Sequence, residues 1–135
     1  MKSQKTDEGK AFFLKMVGDY YRYMAESSKD AKLTLARDGA LGTYKLATDA
    51  CKSLPACNPI KLGLALNFSV FHYEVMQDNT EACNLADTAL QEAMKQIDDV
   101  DEETFRDAKS IIELLKENLT LWKEEAGGDQ NIEDL

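Results

Sequence analysis

The sequence predicts an all-α protein, an antiparallel array of about five helices. Three observations carry that expectation. Apolar residues recur at spacings of three and four, the period of a helix face rather than a strand. Strand signals are nearly absent. The only two prolines, Pro55 and Pro59, adjoin one junction. Short turns between helices favour antiparallel neighbours, and 135 residues suffice for one domain with a real core.

The first helix is expected over roughly 6–27, with Phe12, Phe13, Met16, Tyr20, Tyr23 and Met24 as a broad apolar stripe. Gly18 sits inside it, where glycine costs about 1 kcal/mol relative to alanine, so it should permit a close approach. The second helix is expected from about Lys29 to Leu54, with Leu33, Leu41, Tyr44 and Leu46 in contact, although Gly39 and Gly42 weaken it. Pro55 ends it by disfavouring helical geometry at Leu54. Asn58 then caps a third helix with Pro59 in its first turn. Its run, "PIKLGLALNFSVFHYEVM", is apolar on nearly all sides and is expected to be the most buried element.

After the turn "QDNT", Asn79 or Thr80 should cap a fourth helix from about Glu81 to Ile97. "DDVDEET" is the next junction, where acidic residues suit the positive end of a helix dipole. A fifth helix should run from about Glu103 to Glu124, its apolar side formed by Phe105, Ile111, Leu114, Leu115, Leu119, Leu121 and Trp122. The helical domain thus covers 1–125, and 126–135, "AGGDQNIEDL", reads as an acidic mobile tail.

Charge and composition narrow the function. A net charge of −9 argues against nucleic acid as the main partner, since a phosphate backbone needs a basic face. No apolar run is long enough to span a membrane, and the polar start "MKSQKTDEGK" lacks a secretory core, so a cytoplasmic location is expected. Cys51, Cys57 and Cys83 with the single His72 offer no zinc spacing and read as reduced thiols; no metal and no cofactor are expected. There is no phosphate-binding glycine loop, nucleophile elbow or metal-binding helix motif. His72 lacks a nearby nucleophile and reads as an ordinary interfacial histidine, so no enzyme is expected.

Polar residues inside apolar helices say more. Lys15, Asp19, Arg22, Tyr23 and Glu26 share or border one face of the first helix, at spacings that let Lys15 meet Asp19 and Asp19 meet Arg22. Asn67 and Glu74 lie on the third helix and Asn118 on the fifth. A buried amide without a partner costs about 1–3 kcal/mol. Taken singly, each asparagine is better explained as a cross-link between helices, and Arg22 as part of an internal ion pair. The other reading is a groove whose amides receive an extended peptide, with Arg22 and Tyr23 holding an anion. A guanidinium fork and a phenol together suit a phosphate.

"FFLKMVGDYYRYMAE", "PIKLGLALNFSVFHYEV" and "LLKENLTLW" resemble the carboxyl-terminal half of a 14-3-3 protein, in the family's order and near its spacing. "ACNLADTALQEAM" and "DEETFRDAKSIIELL" resemble it as well, and coverage runs over roughly 9–124. The resemblance implies a non-catalytic adapter that binds phosphoserine or phosphothreonine peptides of client proteins in an amphipathic groove. It implies phosphate contacts from Arg22 and Tyr23 with Lys15 nearby, main-chain contacts from Asn67 and Asn118, and a carboxylate, Glu74, that orients the basic cluster or bonds the peptide. Gly63, Leu66, Val70, Ile111, Leu114, Leu121 and Trp122 match the apolar or close-approach side of the groove.

The sequence departs from the family in lacking a counterpart to its amino-terminal helices. Those helices supply the usual dimer interface, one wall of the groove and two further cations of the phosphate pocket. Phosphate binding is therefore expected to be weakened, and self-association of another kind is open. The alternative is a truncated helical scaffold or assembly fragment that self-associates and binds no phosphopeptide.

Overall fold

A computed structural model of the chain describes residues 4–126. It contains five helices, α1 (Gln4–Glu26), α2 (Asp30–Ala50), α3 (Pro59–Glu74), α4 (Asn79–Gln96) and α5 (Glu102–Ala126), with a short 3₁₀ turn at Ile97–Asp99. The all-α expectation holds. Residues 127–135, the rest of the expected tail, lie outside the described residues.

Several boundaries differ from the sequence reading. α2 stops at Ala50, four residues before Leu54, because the chain already turns there through Leu54 N–H to the Cys51 carbonyl at 2.9 Å. The cap of α4 is Asp78, whose carboxylate accepts the Glu81 N–H at 3.1 Å; Asn79 is instead the first helical residue. α5 runs two residues past Glu124, to Ala126. The α3 start is as expected: Asn58 Oδ1 accepts the amides of Ile60 and Lys61 at 2.9 and 3.2 Å, with Pro59 at the first position.

The α1–α2 hairpin is built on small residues. Gly18 of α1 seats the ring of Tyr44, and Gly39 of α2 seats the ring of Tyr21. A Cβ at either glycine would fall 2.8 Å from the aromatic carbons. The two pairings run in opposite chain directions, so the helices are antiparallel. Ala11 and Ala25 of α1 and Ala36, Ala40 and Ala47 of α2 are buried beside them. This overturns the expected face of α1. Phe12, Phe13, Met16 and Tyr20 are between 51% and 63% exposed, because close helix approach needs small side chains and turns the bulky stripe outward. Leu46 of α2 is exposed for the same reason.

α3 serves both sides of the molecule. Its Leu64, Phe68 and Phe71 join Tyr44, Cys51 and Leu54 in one apolar cluster with α1 and α2. Its Leu62 joins a second cluster with Ala86 and Leu90 of α4 and Ala108, Ile112, Leu115, Leu119 and Trp122 of α5. The buried stripe of α5 thus follows spacings of three and four from Ala108 onward, whereas Phe105, Leu114 and Leu121 of the expected stripe are exposed. Helix ends are tied by polar contacts. Ala56 N–H donates to Gln96 Oε1 at 3.1 Å, and the Cys57 thiol to the Ala93 carbonyl at 3.1 Å, which sets α3 antiparallel to α4. Asn79 Nδ2 donates to the Trp122 carbonyl at 3.2 Å, so the start of α4 meets the late turns of α5. All three cysteines are free thiols, two buried and Cys83 half-buried.

Candidate functional site

α1 and α3 lie side by side in the same direction, and their facing residues define the register. Asn58 Nδ2, at the α3 start, donates to Glu8 Oε2 at 2.7 Å. One step further Gly63 lies against Lys15, then Asn67 against Asp19, and Glu74 against Glu26. The sequence-predicted polar residues of these two helices therefore come together along a single seam.

Asp19 is the centre of that seam. Its carboxylate accepts Lys15 Nζ at 3.0 Å and Asn67 Nδ2 at 3.0 and 3.2 Å, and also receives the Tyr44 hydroxyl. Arg22 pairs with it more loosely, Nη2 to Oδ1 at 3.9 Å. Arg22 Nε donates to the Tyr44 hydroxyl at 3.2 Å and Nη1 to Glu26 Oε2 at 3.3 Å. The guanidinium carbon stands 4.7 Å from the centre of the Tyr23 ring, within cation–π range, and the Tyr23 side chain is exposed. Arg22 is only 8% exposed, yet two of its five N–H donors are engaged in hydrogen bonds, which leaves others for an arriving anion.

The local charge is mixed. Burial pushes the Glu74 carboxyl upward, a hydrogen bond with Glu26 and that residue's charge push it further, and Arg22 opposes. Burial works against the Arg22 charge, but its hydrogen bond to Tyr44 and the nearby Asp19 carboxylate more than offset that and raise its pKa. Two cations, Lys15 and Arg22, thus face three carboxylates, those of Asp19, Glu26 and Glu74.

The apolar residues divide into two groups. Leu66, Val70 and Ile111 are half-buried against the α3–α4–α5 cluster. Leu114 and Leu121 are about half exposed, and Asn118, half-buried between them in sequence, shares their face of α5 by spacing. Among the described residues Asn118 makes no side-chain hydrogen bond. Trp122 belongs to the expected apolar or close-approach side. It is 4% exposed, with its ring stacked on Tyr73 at 4.9 Å and 20°, so it is core that braces α5 against α3. Gly63 is not needed for close approach, since a Cβ there would sit an ordinary 3.5 Å from Lys15 Cε.

Sequence reasoning missed Tyr44, which it counted as packing. The signal was a phenol on α2 opposite Gly18, but nothing in the sequence alone pairs those positions. No cluster of three or more metal-ligating side chains occurs among the described residues, and no helix there is long and apolar enough to cross a membrane.

The described residues thus form an all-helical fold in which Arg22 and Tyr23 of α1 and Asn67 of α3 lie along one seam. The 14-3-3 family model matches residues 1–123, and the chain belongs to that family. It is 48% identical over 130 residues to 14-3-3 protein 2 of Entamoeba histolytica, covering 96% of this chain and 55% of that protein. A 14-3-3 protein homolog of Encephalitozoon cuniculi is 49% identical over 127 residues, 94% of this chain and 49% of its own length. The checkpoint signal transducer rad25 of Schizosaccharomyces pombe is 44% identical over 130 residues, 96% and 48% respectively. The chain spans about half the length of these curated relatives.

Proposed function

We propose that this chain is a non-catalytic, cytoplasmic adapter module that binds phosphoserine or phosphothreonine peptides of client proteins along the seam of α1 and α3, with α5 as the far wall. Family membership supports the general role. In this reading Arg22, Tyr23 and Lys15 hold the phosphate, Asn67 and Asn118 bond the peptide main chain, and Glu74 orients the basic cluster. Gly63, Leu66, Val70, Ile111, Leu114 and Leu121 give the apolar side, with Trp122 bracing it from behind. The observation that carries the reading is the junction of Arg22 and Asn67 through Asp19, which sets a guanidinium and an amide in fixed relation across two helices. Binding is weak, because Asp19, Glu26 and Glu74 crowd the arginine with charge of the phosphate's own sign.

Calorimetric titration of a phosphorylated peptide and its unphosphorylated twin tests this. The intact chain should prefer the phosphorylated peptide, and Arg22→Ala should remove most of that preference. The loss should be tenfold or more, since a charged hydrogen bond contributes about 1.5–3 kcal/mol. Equal affinity for both peptides in the intact chain would exclude phosphate reading.

One observation favours a second reading, a self-associating scaffold. Phe12, Phe13, Met16 and Tyr20 form an exposed apolar stripe on α1, and stripes of this kind mark interaction surfaces.

A further inference from the structure

We infer that Tyr44, on α2 and outside the proposed peptide contacts, is a positioning residue that fixes Arg22 and Asp19 in the orientation a phosphate requires. The inference rests on the phosphopeptide reading above and adds a residue to it.

The Tyr44 ring has no freedom of its own. It is fully buried and stacked on Phe68, with centroids 5.2 Å apart and planes 27° from parallel. It also leans on Phe71 at 5.6 Å. On its remaining side lies Gly18, where even a Cβ would come to 2.8 Å from the ring. A ring clamped by α1 and α3 presents its hydroxyl at one point only. There the hydroxyl gives its single proton to Asp19 Oδ1 and accepts the Arg22 Nε–H at 3.2 Å, which uses the phenol in both directions. Burial and the bond to Asp19 push its titration upward, so the phenol remains a neutral donor at any working pH.

The consequence for Arg22 is geometric. A guanidinium is planar, and fixing Nε leaves only one orientation for Nη1 and Nη2. Two-point recognition of phosphate depends on that orientation. Without the hydroxyl, the buried Nε–H and an Asp19 oxygen both lose a partner, and the plane is free to turn toward Asp19 and Glu26. The site would then keep its charge and lose its aim.

Tyr44→Phe in the full chain separates these roles, because the ring and its packing stay. Two readouts are needed: exchange of the Arg22 Nε proton by NMR, and affinity for a phosphorylated peptide and its unphosphorylated twin. In Tyr44→Phe the proton should exchange about tenfold faster, and the preference for phosphate should fall about 5- to 10-fold, as expected for one lost bond to a charged group. Affinity for the unphosphorylated peptide should not move. Phe71→Leu, which loosens the same core without touching the hydroxyl, should lower the melting temperature and leave the Nε proton protected. The inference is overturned if Tyr44→Phe leaves exchange or phosphate preference unchanged, or if Phe71→Leu reproduces both losses. If the unsubstituted chain shows no phosphate preference while Tyr44→Phe still frees the Nε proton, the phosphopeptide reading fails and the fixing of Arg22 stands.

Discussion

Gly18 carries a demand that its neighbours cannot relax. A methyl group there would meet Tyr44 carbons at 2.8 Å, and the ring cannot retreat because Phe68 lies behind it. Overpacking of this kind costs about 1–3 kcal/mol, while alanine gains about 1 kcal/mol over glycine in a helix. Gly18→Ala should therefore destabilise the chain by up to about 2 kcal/mol, seen as a lower urea midpoint. Gly42, with open space around it on α2, is the contrast: Gly42→Ala should raise the midpoint. At this scale the sequence was informative where spacing alone decides. The Lys15–Asp19 and Arg22–Glu26 pairs follow from four-residue steps, and the close approach at Gly18 follows from a glycine inside a helix. The convergence of Asn67 and Tyr44 on Asp19 did not follow, since it depends on how three helices are set against one another.

His72 closes the last turn of α3 where α4 begins. Its ring lies against Phe68 and Phe71, and Nδ1 is buried without a hydrogen-bond partner. Burial pushes its pKa below the ordinary 6.5, against the pull of Glu81 in α4 and Asp78 at its cap, and Lys45 from α2 pushes it the same way as burial. The folded state thus holds the neutral ring more firmly than the unfolded chain does. That contribution to stability is complete above the ordinary value and is lost as pH falls through the lower folded one. Urea midpoints should accordingly drop between pH 7 and pH 5, and His72→Phe should flatten the drop in that window; as the chain's only histidine, it leaves few other groups to titrate there. Element order and type were legible from periodicity, and the Asn58–Pro59 start of α3 from capping chemistry. The face that α1 buries was not, because side-chain size, not hydrophobicity, decides which stripe fits a close helix pair. The early end of α2 was hidden as well, since Pro55 forbids helix at Leu54 without specifying how far back the chain unwinds.

Two opposing properties govern how whole molecules meet. The exposed stripe of α1 favours contact between copies, and a net charge of −9 opposes it. Screening shortens the reach of that repulsion to about 8 Å at physiological salt and about 3 Å at 1 M. Under the scaffold reading, the mass from light scattering should rise with protein concentration and rise further with salt, whereas a constant monomer mass across both series would remove that reading. Sharing of α3 between two clusters bears on integrity in another way. Neither the hairpin before it nor the helix pair after it keeps a closed interior if that one segment leaves. A single cut in the turn between Leu54 and Asn58 would still hold the pieces together through α3, but removing α3 would leave two greasy remnants and no smaller working unit. The molecule has one spine, and the seam proposed to take peptides runs along it.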